Sequence, residues 1–186
     1  MDNTNTVNAE NKTVEVKQSF LSSAISDISA YIQLADTKVS IIMAAVVAVI
    51  MGGFACYEPI EDLISLVNPC SWESVALIIS TIVLVVSIIG VFVFGILTIR
   101  SHFSKIRYKS KWFLSHSTKE YSFDIYKEDV LSMSDEDVIV NMAAELYKLN
   151  DINRQKNVTY KWALRSFSAT LIDIVVICIL FLFSVV

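Results

Sequence analysis

Lysine and arginine are missing from residues 39–99 and again after Arg165, so all fifteen cations of the chain lie in residues 1–38 and 100–165. Glycine and proline are scarce as well, four and two in 186 residues, which leaves little to interrupt a helix. The three cysteines, Cys56, Cys70 and Cys178, form no CxxC pair and have no histidine at ligand spacing. That pattern speaks against a disulfide framework and against a metal site. With only His102 and His116, and with no P-loop, GxGxxG, HExxH or GxSxG sequence, no catalytic constellation is present. The chain reads as a non-enzyme with no resident cofactor.

What fills the cation-free stretches is apolar. Residues 39–57, 75–99 and 167–186 are continuous hydrophobic runs, and a helix rising ~1.5 Å per residue needs roughly 20 residues to cross ~30 Å of hydrocarbon. All three are long enough. The expected fold class is therefore an all-α membrane protein with three transmembrane helices. Between the first two spans, residues 58–74 carry Glu58, Glu61, Asp62 and Glu73 but no cation, whereas Arg100, Lys105, Arg107, Lys109 and Lys111 crowd the exit of the second. The positive-inside bias puts the acidic loop outside and residues 100–166 in the cytoplasm. The N-terminus is then cytoplasmic and the C-terminus external, in a multi-pass protein.

Outside the spans the chain is helical by pattern. Residues 1–17 have little to bury and read as disordered. From residue 18 to 38, Leu21, Ile25, Ile28, Ile32 and Ala35 recur at helical spacing, an amphipathic helix that runs unbroken into the first span. The second span is expected to continue as helix for a few turns past Arg100. Thr118 is expected to cap a short helix from Lys119 to about Met133. Ser134-Asp135-Glu136-Asp137 is a helix N-terminus signal with capping-box spacing, and no proline follows it to Val186, so one rod can reach from there through the third span. Together these elements make a cytoplasmic helical stalk.

Asp173 lies about six residues inside the third span, where a lone carboxylate costs ~2.5–3.5 kcal/mol on insertion scales. Three accounts stand: it faces other helices or a neighbouring subunit and polarises an opening pathway, it is protonated, or it bonds to Thr170 or another helix neighbour. Tyr108, Trp112, Phe113, Tyr160 and Trp162 cluster near the inner boundary, either as headgroup-level anchors or, for Trp112 and Tyr121, as stacking faces for a nucleobase.

The order of elements resembles the Pycsar transmembrane effector family, bacterial membrane proteins encoded beside nucleotide cyclases in anti-phage defence. The resemblance rests on Leu34-Ala-Asp-Thr-Lys-Val-Ser-Ile-Ile-Met-Ala-Ala at the first span and on Lys111-Trp-Phe-Leu-Ser-His-Ser-Thr-Lys-Glu-Tyr121. It rests also on Leu146-Tyr-Lys-Leu-Asn-Asp-Ile-Asn-Arg-Gln-Lys156, with Ile152 and Lys156 at I-x-x-x-K spacing, followed by Tyr160-Lys161-Trp162. Where the family often has an L-x-F-N-G-like core in its first span, this chain has Ala44-Ala-Val-Val-Ala. The resemblance implies an oligomeric effector in the bacterial inner membrane, in contact with its lipids, that binds a cyclic nucleotide, a cyclic pyrimidine mononucleotide foremost, on its cytoplasmic part and impairs that membrane, with no nucleic-acid partner. Such a ligand needs cations and an aromatic or polar cleft, for which Arg107, Lys109, Lys111, Trp112, Tyr121, Arg154 and Lys156 are the candidates. A membrane-anchored interaction protein and a ligand-independent, holin-like pore are the rival readings.

Overall fold

The computed structural model describes residues 3–55, 72–100, 102, 104, 108, 111 and 122–185. Among them there is no strand, and the helices are α1 (Asn3–Ala55), α2 (Trp72–Ile99), α3 (Phe123–Leu131) and α4 (Asp135–Val185). The chain divides into two compact units: one from Met1–Gln33 with His102–Gln155, the other from Leu34–Ser101 with Lys156–Val186. Helices α1 and α4 contribute to both.

The expected junctions hold where nothing breaks the helix. The amphipathic segment and the first span are one helix in α1, and the capping signal opens a single helix that includes the third span in α4. At the start of α4 the capping box closes in both directions. The Asp137 amide donates to Ser134 Oγ at 3.2 Å, and the Ser134 amide donates to Asp137 Oδ2 at 3.1 Å. The Ser134 hydroxyl adds a 2.7 Å bond to the same carboxylate oxygen. These bonds, that of the Ser134 hydroxyl first, hold the Asp137 carboxyl below the usual carboxylate range. A depressed carboxylate contributes its stability above the unfolded value and loses it as pH falls through the lower, folded one. The N-terminal turn of α4 should accordingly loosen in acid below about pH 4. Ser134→Ala should cost about 1 kcal/mol at neutral pH and flatten that acid dependence, read as amide exchange in the first turn of α4.

Three boundaries depart from expectation. Helix α1 begins at Asn3, where disorder to residue 17 was expected; no glycine or proline precedes Gly52 to stop it. Helix α2 ends at Ile99 and does not continue past Arg100, which sits in a bend after a last helical bond from its amide to the Ile96 carbonyl at 2.9 Å. A longer helix would align Lys105 with Lys109 and Arg107 with Lys111, like-charge pairs one turn apart. The short helix starts at Phe123, capped by Ser122, whose hydroxyl accepts from the Ile125 amide at 3.4 Å. Thr118 and Lys119, the expected cap and first residue, lie outside the described residues, as does the loop from 58 to 71.

The second unit has its polarity reversed relative to a water-soluble bundle. Along α2 the positions turned inward are Ser80, Ser87, Val91, Gly95 and Thr98, spaced four and three residues apart or in multiples of that. The outward positions are large aliphatics: Ile78, Ile79, Ile82, Val86, Ile89 and Ile96 are all more than half exposed. Water would not tolerate that surface. Lipid solvates it, and small or hydroxyl-bearing residues let helices approach closely where no hydrophobic driving force joins them. An apolar knot of Ile42, Val46 and Val91, with Met43, Ile50, Ile88, Phe92, Tyr160 and Phe167 around it, ties α1, α2 and α4 together. Each of α1, α2 and α4 contains a segment long and apolar enough to cross a membrane. The protein is a multi-pass α-helical membrane protein.

Candidate functional site

In the first unit, α3, the start of α4 and Lys111 enclose a cleft of about 360 Å³ lined by Lys111, Tyr126, Val130, Met133, Val138 and Asn141. Asn141 is buried and ties the wall together: its Oδ1 accepts from the Lys111 backbone amide at 3.2 Å, and its Nδ2 donates to the Asp137 carbonyl at 2.8 Å. The Lys111 ammonium lies 3.6 Å from Asp129 Oδ1 and 3.4 Å from the Asp129 carbonyl, with both side chains more than a third exposed or close to it. An exposed pair of that length contributes under about 1 kcal/mol. The ammonium can therefore turn to a better anion. Tyr126 offers a ring and Met133 an adaptable apolar surface beside it. One turn further along α4, Glu145 is buried, its Oε2 3.7 Å from Lys148 Nζ and without a hydrogen bond among the described residues.

Of the sequence candidates, Lys111 lines this cleft. Arg107, Lys109, Trp112 and Tyr121 lie outside the described residues. Arg154 is in the same unit, paired with Asp151 Oδ1 at 3.0 Å, its side chain 80% exposed. Thirteen residues separate it from Asn141 on α4, roughly 20 Å along the axis, too far for one small ligand to touch both. Lys156 belongs to the second unit and is committed there: its ammonium donates to both carboxylate oxygens of Asp36, at 2.6 and 2.7 Å, with the lysine side chain only 7% exposed. The partner, Asp36, was not singled out as a site residue, although it stands in the very run quoted for the first span. Asn141 and Tyr126 were also missed, because nothing in local spacing says which residues will meet across a fold.

In the second unit, α2 and α4 run antiparallel, shown by a ladder of contacts. Thr98 donates to Thr159 at 2.9 Å, Phe94 stacks on Trp162 with ring centroids 5.9 Å apart, and the Ser87 and Thr170 hydroxyls meet at 2.9 Å. Arg165 lies over the Trp162 ring at 4.9 Å, a cation held where the apolar segment begins. Asp173 follows Thr170 by one turn on the buried face, 8% exposed, with Oδ2 lacking any hydrogen bond among the described residues. Of the accounts raised for it, the bond to Thr170 is not made, since that hydroxyl donates to the Ser166 carbonyl at 3.0 Å and meets Ser87.

Three helices that each contain a segment able to cross a membrane, with a cation-edged cleft inside the first unit, define the class: a multi-pass membrane protein. Residues 20–185 match the Pycsar effector protein domain, and the chain belongs to that family. Membership points to an effector of anti-phage defence, and the domain is not a known enzyme family. No curated protein and no solved structure matches.

Proposed function

We propose that the protein is silent until a cyclic nucleotide binds the first unit, whereupon it impairs the inner membrane and halts the infected cell. The observation that carries this reading is the family match across residues 20–185, which takes in both units. The cleft supplies a place for the ligand: the Lys111 ammonium for the cyclic phosphate, and the Tyr126, Met133 and Val138 surfaces for the base. Its volume lies at the low end of the ~300–1,000 Å³ typical of small-ligand sites. Arg107, Lys109, Trp112 and Tyr121 flank Lys111 in sequence and complete the proposed site; Arg154, exposed and apart, serves an anionic surface; and Lys156 serves the Asp36 pair. The cation distribution supports a cytoplasmic first unit, a cytoplasmic N-terminus and an external C-terminus. Because α1 and α4 run through both units, a ligand that favours one packing of the first has a helical route to the second, provided it binds the two packings unequally.

The test is thermal shift of the purified protein with cyclic UMP, cyclic CMP, cyclic AMP and cyclic GMP, paired with a membrane-potential dye in cells fed by a matching cyclase. One nucleotide should stabilise the protein and depolarise the cells. Lys111→Gln should weaken that binding roughly tenfold, the ~1.4 kcal/mol scale of one charge-assisted contact. Unchanged affinity would rule out the cleft, and depolarisation without any nucleotide would favour the ligand-independent pore.

A further inference from the structure

The interface between α2 and α4 in the second unit carries small and hydroxyl-bearing residues that meet across it. Ser80, Ser87, Thr98 and Thr170 are buried among the spans, Thr159 and Ser166 are partly buried, and Gly90 sits so near Ser166 that an added Cβ would lie 2.7 Å from its hydroxyl oxygen. A stripe of small residues alone is ordinary helix packing. Asp173 changes its meaning, because it lies more than nine-tenths buried on the same face, one turn beyond the Ser87–Thr170 contact, with a carboxylate oxygen that no described residue satisfies. No cation is available to it within the spans: α1 from residue 39 onward and α2 throughout contain neither lysine nor arginine, and α4 has none after Arg165. The other acid in these segments is Glu73, at the start of α2.

We infer that the α2/α4 seam, closed by the Ser87–Thr170 and Thr98–Thr159 hydroxyl contacts, is the line along which the protein opens, and that Asp173 makes the species passing along it a cation. Hydroxyl oxygens replace part of an ion's hydration shell, and one uncompensated carboxylate sets the sign of the charge admitted. In the closed unit the same hydroxyls satisfy one another across the helices and along them, as Thr98 does with the Phe94 carbonyl at 2.8 Å. Opening would exchange those bonds for water and give the orphaned carboxylate the partners it lacks, offsetting the cost of its burial. This inference rests on the membrane-impairing reading above and adds the pathway and its selectivity.

The full-length protein in liposomes, under a KCl gradient and with cyclic UMP or cyclic CMP as the probe, gives a reversal potential. Wild type should reverse near the potassium equilibrium potential, and Asp173→Glu should keep that value. Asp173→Asn, nearly isosteric, should move it toward zero, and Asp173→Lys should carry it toward the chloride value. A conductance that is anion-selective, or whose selectivity ignores Asp173→Asn, overturns the seam while leaving the membrane-impairing reading in place. Complete absence of conductance with nucleotide, together with intact cell potential, overturns both.

Discussion

Replacing Asp36 with asparagine should lower the stability of the protein by about 3 kcal/mol, since removing one partner of a buried ion pair strands the other. The stranded group is the Lys156 ammonium, whose side chain is 7% exposed and which has both its short bonds to Asp36. Lys156→Met should cost less, because the Asp36 side chain is 33% exposed and can turn to water. The double variant Asp36→Leu with Lys156→Met should recover most of the loss, as apolar replacements of buried pairs often do. At about 2–4 °C per kcal/mol for a chain of this size, Asp36→Asn should drop the thermal midpoint in nanodiscs by about 10 °C. Equal losses for the two single variants would mean that burial of the lysine is not what sets the cost. Within the second unit the pair fixes the register of α1 against α4, joining two of the three sequence runs by which the family resemblance was drawn.

The two glycines of α2 that face other helices should respond differently to alanine. At Gly90 the new methyl would lie 2.7 Å from Ser166 Oγ and 3.2 Å from its Cβ, an atom fixed to the α4 backbone. At Gly95 it would meet the Met43 Sδ at 2.7 Å and Cγ at 3.1 Å, on a side chain that can swing away, and the Val39 Cγ1 at 3.3 Å. Overpacking that cannot relax costs about 1–3 kcal/mol. Gly90→Ala should reach the upper part of that range and Gly95→Ala the lower. Adding Ser166→Gly to Gly90→Ala moves the missing side chain to the other helix and should restore the close approach, giving a favourable coupling in a double-mutant cycle. Thermal unfolding of the four proteins reads this directly. Additivity would place the tight contact elsewhere.

Much of the fold was legible because the bilayer imposes a simple rule. An apolar run of sufficient length must be a helix, since every backbone polar group has to be satisfied within its own segment. Ser134 and Asp137 announced the start of α4 through side-chain chemistry three residues apart, and the structure closes that box in both directions. The end of α2 was misread because helix continuation was inferred from the absence of a breaker, while the charge repulsion of the following lysines and arginines was left out. The candidate cleft was only partly visible. Lys111 was chosen by charge, but Tyr126 and Asn141 join it from residues 15 and 30 positions away, and such contacts leave no periodic trace.

By itself the sequence determined what each segment had to be: three apolar stretches without cations, an acidic loop between the first two, a mildly basic segment after the second, and one acid out of place at position 173. Composition and period set these because they depend on neighbours within a few residues and on the solvent alone. The tertiary structure decided which polar groups face one another. It gave Lys156 to Asp36 across 120 residues and Thr170 to Ser87 across 83, and it left the Asp173 carboxylate without a hydrogen bond on Oδ2. Pairing of that kind follows from helix register and close approach at glycine, which are properties of the packed bundle and of no segment read in isolation.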